Sequence, residues 1–453
     1  MTSTRLSRVL GAGVGLAVGV GTTIGSGILR APADVAAQLP DRAWIAGVWI
    51  AGGLYALLGA NAMAEVATLV GRSGGFYPIA RRGLGTYAGF VVGWLDFING
   101  CGSLASVALL VADNAVVVSP DLDGWNASIA AFGLVALAAL QWRGVALGAK
   151  AQIALSALKA IAFIALVIGC FVNAATHDDV TAPIASAVAP VMPHGVGLIV
   201  AVAIALQGVI YTYDGWYSAI YLGEELKDPG KEIPRSLFST VGAVAVLQLL
   251  VNFAFLAVLP LGVLALSTAP AAAAAGVVLG SGADKAIAGL VVLSLAGAVS
   301  ATLLGTPRVL YAMARDRLVP NRLAGTTDQG TPAIAVALTI LGALAIIKYA
   351  KTFEAVAASL SVLMVGTYAS FFLALFALRA REPNTERPFR ARGYPWLPGL
   401  GLLLSAAFIG TTAYGDPKAA AAGGVILVVS VPAFILQRFI SRRSPSADSG
   451  AGA

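Results

Sequence analysis

Two short stretches hold residue types that interrupt otherwise apolar, helix-length runs. Residues 19–28 read GVGTTIGSGI, with four glycines, two threonines and a serine. Residues 211–216 read YTYDGW and place a carboxylate in the middle of a second apolar run. A glycine inside a helix costs about 1 kcal/mol relative to alanine, and a charge at mid-bilayer depth costs at least about 2.5 kcal/mol. Both stretches therefore predict breaks in a membrane helix that have a functional role.

A break of this kind offers two sorts of backbone partner. The second half-helix presents free N–H groups and a positive dipole end, which suit a carboxylate, and the first half presents carbonyls, which suit an ammonium. Glycine leaves room for a ligand to approach the backbone closely. One broken helix would thus bind both ends of a zwitterion. We expect amides from Gly25, Ser26, Gly27 and Ile28, and carbonyls from Thr22, Thr23 and Ile24.

Purely structural interpretations compete with this one. Gly11, Gly15 and Gly19 are four residues apart, and this spacing favours close packing between two membrane helices over ligand binding. The alternate spacing of the GSG at 25–27 does not follow one helix face and favours a break. Asp214 would serve equally well as the N-cap of a half-helix that starts at Gly215.

The elements that position these residues are membrane helices. The chain has 453 residues, of which 58% are hydrophobic and 11% charged, whereas soluble domains carry about 25% charged residues. Apolar runs of membrane-spanning length recur without strand-like alternation, which favours helices over a barrel. We predict an all-α integral membrane protein with twelve transmembrane helices. The spans are 9–38, 43–69, 86–117, 126–142, 149–173, 195–224, 235–261, 286–314, 332–349, 353–380, 396–413 and 418–440.

The net charge of +7 follows membrane topology and does not indicate nucleic-acid binding. Most lysines and arginines fall at span ends on the side of the N-terminus, which predicts that both termini are cytoplasmic. The two cysteines and two histidines form neither a disulfide framework nor a metal-ligand pattern, and we expect no cofactor. The N-terminal run continues into further helix without a cleavage site, so it is predicted to be a retained span.

Spans one and six are both long and both interrupted, five spans apart. Matched breaks at corresponding positions of two halves point to a binding site at the membrane midplane between inverted repeats. We therefore predict a cytoplasmic N-terminus at 1–8, a ten-helix core at 9–380 with repeats 9–173 and 195–380, two peripheral helices at 396–440, and a disordered tail at 441–453.

Three motifs together resemble the amino acid–polyamine–organocation superfamily of permeases. They are IGSGI near the N-terminus, YTYDGW followed by GEELKDPGKEIPRS, and PRVLYAMARDRLVP after span eight. The resemblance implies a five-plus-five inverted-repeat fold with alternating access. It implies that Ser26 and Gly27 bind a substrate carboxylate and that carbonyls near Thr22, Thr23, Tyr211 and Asp214 bind the amino group. In span six the expected site residues are Tyr211, Tyr213, Asp214, Gly215 and Trp216, with Tyr211 and Trp216 as gates, pocket walls or packing aromatics.

Lys159 lies in QIALSALKAIAFIALVIG, with at least a turn of apolar residues on each side. An ionisable residue at that depth is a functional candidate by default. The resemblance implies that its ammonium contacts carbonyls of the broken first span. Two roles stay open: a permanently charged strut, or a group that binds and releases a proton during transport. Ser300 and Thr302 in span eight are further candidate contacts.

Other polar residues carry weaker expectations. Glu224 and Glu225 would form an inner gate with basic residues such as Arg81 and Arg82, or stay solvated. A second group would line the cavity: Glu65, Asp96, Asn99 and Asp113. For Asp96, in GWLDFING, a packing or hydrogen-bonding role is favoured over a place in the cavity.

The function favoured by these observations is secondary active transport of amino acids across the cytoplasmic membrane, with neutral substrates and with proton coupling or exchange. A cationic amino acid or polyamine antiporter is the alternative, and a channel-like protein is the alternative from another class. We expect no enzymatic activity, no nucleic-acid partner, and a monomer or homodimer in the bilayer.

Overall fold

The computed structural model describes residues 8, 10–25, 27–142, 145–176, 190–267, 269–280, 282–328, 330–350, 353–415 and 417–443. Helices account for most of these residues. They are α1 Ala12–Thr23, α2 Gly27–Gln38, α3 Arg42–Val70, α4 Phe76–Leu84, α5 Thr86–Val118, α6 Asn126–Trp142, α7 Val145–Thr176, α8 Val196–Tyr213, α9 Pro229–Val258, α10 Leu261–Leu266, α11 Pro270–Leu279, α12 Ala283–Arg315, α13 Ala333–Ala350, α14 Phe353–Arg381, α15 Trp396–Gly415 and α16 Pro417–Arg443.

Every predicted span coincides with a helix or with an interrupted helix. Six of the described helices are long and apolar enough to cross a membrane, and the α1–α2 pair raises this number to seven. The full count of twelve spans and the inverted repeat stay predictions. Residues 441–443, predicted as part of the tail, continue α16.

The first predicted span is broken as expected. α1 ends at Thr23, α2 begins at Gly27, and the two axes differ by 47°. The sixth span is broken after Tyr213, where Asp214 and a glycine with φ of 100° lead into a short 3₁₀ turn at Ser218–Leu222. The breaks therefore fall where glycine, threonine and aspartate interrupt the two apolar runs.

The core brings both breaks to the middle of the bundle. α1 packs against α7, α9 and α12, while α2 packs against α8, and α5 packs along α12 and α14. Gly15 and Gly19 face Ser236 and Thr240 of α9 so closely that a methyl group would overlap those side chains, whereas no atom of the described residues lies within 4 Å of a methyl group at Gly11. The packing interpretation therefore holds for Gly15 and Gly19, and it stays a prediction for Gly11.

Short elements connect the long helices at their ends. α4 lies between α3 and α5 in the chain, and α10 and α11 follow α9. The N-terminal Leu10 pairs with the segment after the sixth span, because its amide donates to Glu225 O at 2.9 Å and its carbonyl accepts from Lys227 N at 3.1 Å.

Candidate substrate site at the two helix breaks

A cavity of about 70 Å³ lies where the two breaks meet. At about 10–15 Å³ for each water molecule, it has room for roughly five waters. Its wall combines the end of α1, the start of α2, the end of α8, one side each of α5 and α12, and one residue of α14. The sequence-predicted residues in the wall are Thr22, Thr23, Gly25, Gly27, Asn99, Tyr211, Asp214 and Thr302.

The start of α2 reaches the cavity because Gly27 has no side chain. A Cβ atom at Gly27 would lie 2.8 Å from Thr212 Oγ1 and 3.1 Å from the Thr212 Cα atom. α2 can therefore approach α8 only with glycine at this position. The first amides of a helix have no intrahelical acceptor, so the first turn of α2 leaves donors for an anionic group.

The carbonyls at the end of α1 are partly occupied. Gly25 N donates to Thr23 O at 2.9 Å, and Ile24 O accepts from Ser294 Oγ at 3.1 Å and from Lys159 Nζ at 2.8 Å. Ile24 therefore directs its carbonyl toward α7 and α12, whereas it was predicted to present that carbonyl to a ligand.

Lys159 is fully buried on α7 behind the break. Its ammonium donates to Gly21 O at 2.7 Å, to Ile24 O at 2.8 Å and to Ser294 O at 3.3 Å. An ammonium has three N–H donors and no acceptor, so three carbonyls match it fully. The contact with carbonyls of the first span is the one that the family resemblance implied.

Asp214 supplies the carboxylate in the described cavity wall. It accepts hydrogen bonds from the hydroxyl of Tyr368 on α14 and, at 3.4 Å, from the hydroxyl of Tyr217. The N-cap of the following 3₁₀ turn is Tyr217, so the structure does not give Asp214 the predicted capping role. The cavity thus has helix N–H donors on one side and a carboxylate on another.

The family model for amino acid permeases matches residues 15–435 of the chain. The chain belongs to the amino acid permease family. That match covers both breaks, Lys159 and every residue of the cavity wall. The family and its relatives are transporters, not enzymes.

Characterised relatives of this permease align over most of their length. The serine/threonine exchanger SteT of Bacillus subtilis (strain 168) is 26% identical over 439 residues, which cover 95% of this chain and 96% of the relative. The branched-chain amino acid permease BcaP of the same organism is 26% identical, with 88% and 86% covered. The Asc-type amino acid transporter 1 of Mus musculus is 25% identical, with 93% and 79% covered.

Several residues predicted for the permease's site lie outside the described cavity wall. Ile28 is fully buried in the core, and Tyr213 donates to Trp49 O at 3.2 Å. Trp216 belongs to a buried aromatic cluster with Tyr217, Tyr368 and Phe371. Ile24, Gly215 and Ser300 are also absent from the wall, and Ser26 lies outside the described residues.

Residues that the sequence did not single out complete the wall. They come from α5, α8, α12 and α14, and they are Ser103, Val107, Thr212, Ala298 and Met364. Ser103 follows the predicted Asn99 by one turn of α5, so helical spacing was the available signal. On α7, Ser156 and Gln152 precede Lys159 on one helix face, and both contact Ala17 O, at 2.8 Å and 3.4 Å.

Three of the four polar candidates for the cavity lie elsewhere, and one of them, Asp96, forms a hydrogen bond as favoured from the sequence. Asp96 accepts from Tyr221 Oη at 2.6 Å, and Glu65 is fully buried against arginines of the α14–α15 region. Asp113 accepts from Asn126 Nδ2 at 2.7 Å. Asn99 alone of the four lines the described cavity.

Ion pairs lie beyond the cavity, at the end of the bundle reached by the segment that follows Asp214. Glu225 and Arg308 form a buried pair with N–O distances of 2.7 Å and 3.1 Å. Glu224 pairs with Arg315 at 2.5 Å and lies 3.9 Å from Arg72. The acids of this segment therefore have partners other than those predicted.

The predicted gate partners Arg81 and Arg82 bind different acids. Arg81 pairs with Asp316, and Arg82 pairs with Glu382 at 2.7 Å. Asp316 also accepts from Arg72 and, at 2.7 Å, from the hydroxyl of Tyr77. Burial raises the pKa of the Asp316 carboxyl, but the hydrogen bonds from these three residues outweigh it, and the net pKa lies below the ordinary value.

Proposed function

We propose that this permease is a secondary active transporter of amino acids across the cytoplasmic membrane, and that its substrates are small and neutral. The observation that carries the proposal is the cavity at the two breaks, with α2 amides on one side and the Asp214 carboxylate on another. These groups complement the carboxylate and the ammonium of a zwitterion. The small cavity volume favours a short substrate side chain.

We assign the substrate carboxylate to the first turn of α2, at Gly27 and the adjoining Ser26. The ammonium would bind near Asp214 and the carbonyl of Thr22, because the carbonyl of Ile24 already accepts from Lys159. Tyr211, Thr212 and Thr302 would surround the side chain. This assignment keeps the predicted carboxylate site. It reduces the predicted ammonium site to Asp214 and the carbonyl of Thr22.

Alternating access would use the two broken helices. The ion pairs of Glu224, Glu225 and Asp316 would close the bundle end that the predicted orientation makes cytoplasmic. These pairs would separate when the site opens to that side. Lys159 would stay charged and tie α1 to α7, because all three of its N–H donors have carbonyl acceptors.

Uptake into proteoliposomes tests this function directly. We expect saturable uptake of labelled serine, threonine or alanine, and competition by other small neutral amino acids. Uptake that requires internal amino acid would identify exchange, and uptake driven by an inward proton gradient without internal substrate would identify symport. The absence of saturable uptake for every amino acid and amine would contradict the proposal.

Asp214 also supports the second candidate, a cationic amino acid or polyamine antiporter, because a carboxylate in the cavity attracts a second positive charge. Labelled arginine and a diamine in the same proteoliposomes separate the candidates. Preferred uptake of either one over serine would favour the antiporter. A current that does not saturate with substrate would instead favour the channel-like alternative.

A further inference from the structure

An apolar groove lies on the outside of the bundle and shares no lining residue with the substrate cavity. It has a volume of about 650 Å³ and is formed by α3, α9, α15 and the segment before α15. Pockets of about 300–1,000 Å³ accommodate small-molecule ligands. Its walls are mostly leucine and phenylalanine, and the leucines Leu54, Leu57 and Leu400 are 57%, 38% and 44% exposed.

The groove ends in positive charge. Arg392 forms part of its wall. Arg235 lies one turn before the wall residue Phe238 on α9 and therefore on the same helix face. Both arginines are exposed. Among the described residues, neither guanidinium group forms an ion pair.

The backbone beneath Arg392 is fixed in place. Arg392 N donates to Asn61 Oδ1 at 2.9 Å, and Asn61 Nδ2 donates back to Arg392 O at 2.9 Å. The preceding Ala391 N donates to the buried Glu65 carboxylate at 2.6 Å. Nearby, the ring centroids of Phe238 and Phe389 are 5.8 Å apart, which joins α9 to the same segment. The arginine is thus held at the groove by its backbone, and no described residue forms an ion pair with its guanidinium, which can therefore bind a ligand.

We propose that this groove binds an anionic phospholipid of the surrounding membrane. An acyl chain would lie along Leu54, Leu57 and Leu400, and the phosphate would accept hydrogen bonds from Arg392 and Arg235. The groove lies at the bundle end with the basic clusters, which the proposed orientation places in the cytoplasmic leaflet. Anionic lipids of that leaflet attract basic groups, and Arg binds phosphate through paired N–H donors.

Native mass spectrometry of the purified permease tests the proposal. The protein in detergent is incubated with equal amounts of phosphatidylglycerol and phosphatidylcholine. We expect the wild type to retain phosphatidylglycerol preferentially and Arg392→Ala to retain it about fivefold less, the loss typical of one basic residue at an anionic surface. Arg322→Ala is the matched control, because Arg322 is also exposed but belongs to the 3₁₀ turn Asn321–Ala324.

Two further measurements distinguish a bound phospholipid from other ligands. Leu57→Trp fills the groove and should reduce retention of the phospholipid with all arginines intact. Excess inorganic phosphate should leave the bound phospholipid in place, because the acyl chain supplies part of the affinity.

Three results would overturn the proposal. They are equal retention of the two lipids by the wild type, unchanged retention by Arg392→Ala, or displacement of the lipid by phosphate alone. A dimer that covers the groove and is lost in Leu57→Trp would also contradict it, because a second copy would then be the occupant. The readout is bound mass, so the result does not depend on whether transport is observed.

Discussion

Lys159→Met tests the tie between α1 and α7 most directly. Methionine keeps an apolar stem but removes the ammonium, so the carbonyls of Gly21 and Ile24 lose their short hydrogen bonds of 2.7 Å and 2.8 Å. A hydrogen bond to a charged group contributes about 1.5–3 kcal/mol, which gives about 3–6 kcal/mol for the two. Removal of a lysine charge from the membrane interior is favourable by about 2.5–3.5 kcal/mol, and this gain offsets part of the lost hydrogen-bond energy.

With the midpoint of each range, the lost hydrogen-bond energy exceeds the gain from removing the charge by about 1.5 kcal/mol. This net loss is roughly a tenfold change in an equilibrium constant. We therefore expect Lys159→Met to lower the uptake rate about tenfold, because fewer molecules hold α1 in the position that forms the cavity. If the lysine is a fixed charge, the shape of the pH profile will stay that of the wild type. The assay is uptake of labelled serine from about pH 5 to pH 8, the range in which side chains with pKa values near neutrality change charge.

Lys150→Met is the matched control, because Lys150 lies on the same helix and is exposed. It should keep the wild-type rate. A Lys159→Met protein that keeps its rate but loses its pH dependence would show that the lysine carries the coupled proton. A variant with both rate and profile unchanged would show that the tie is not needed.

Three further predictions concern stability, measured by thermal unfolding in detergent. Gly27→Ala should destabilise the protein by about 1–3 kcal/mol through overlap with α8, whereas Gly25→Ala, whose nearest neighbour would be 3.9 Å away, should not. Arg308→Met should cost about 3–5 kcal/mol by leaving Glu225 buried and unpaired, and the double variant with Glu225→Gln should recover most of that loss. Asp316 has a lowered pKa, so its contribution is complete above the unfolded value of about 3.9 and is lost as pH falls through the lower folded value. The stability gap between wild type and Asp316→Asn should therefore close in acid, and a gap that persists there would contradict the ion-pair interpretation.

Helix positions were largely predictable from the sequence because lipid requires long apolar runs with internally satisfied backbones. The predicted span 126–142 coincides with α6, Asn126–Trp142, and the predicted 43–69 lies within α3, Arg42–Val70. The break before Gly27 was also predictable, since glycine and threonine lower helix propensity locally. These features depend on neighbouring residues only.

Partners of buried charges were not predictable, because they are set by contacts between distant segments. Glu65 was expected in the cavity, but its partners Arg379 and Arg387 are 314 and 322 residues away. Glu225 likewise pairs with Arg308 of α12, which no local spacing indicates. The polar face of α7, in contrast, could be predicted from the sequence, because Gln152, Ser156 and Lys159 follow helical spacing.

The pairing of Glu65 has a consequence for how the protein is made. α3 enters the membrane early in synthesis, but the arginines that neutralise its buried carboxylate are more than 300 residues further along the chain. At about 5–20 residues per second, that interval lasts roughly 15–60 s. During this interval Glu65 must be solvated, protonated or shielded by the insertion machinery. A nascent chain that stops before Arg379 lacks both arginines, so its Glu65 carboxylate has neither of these partners.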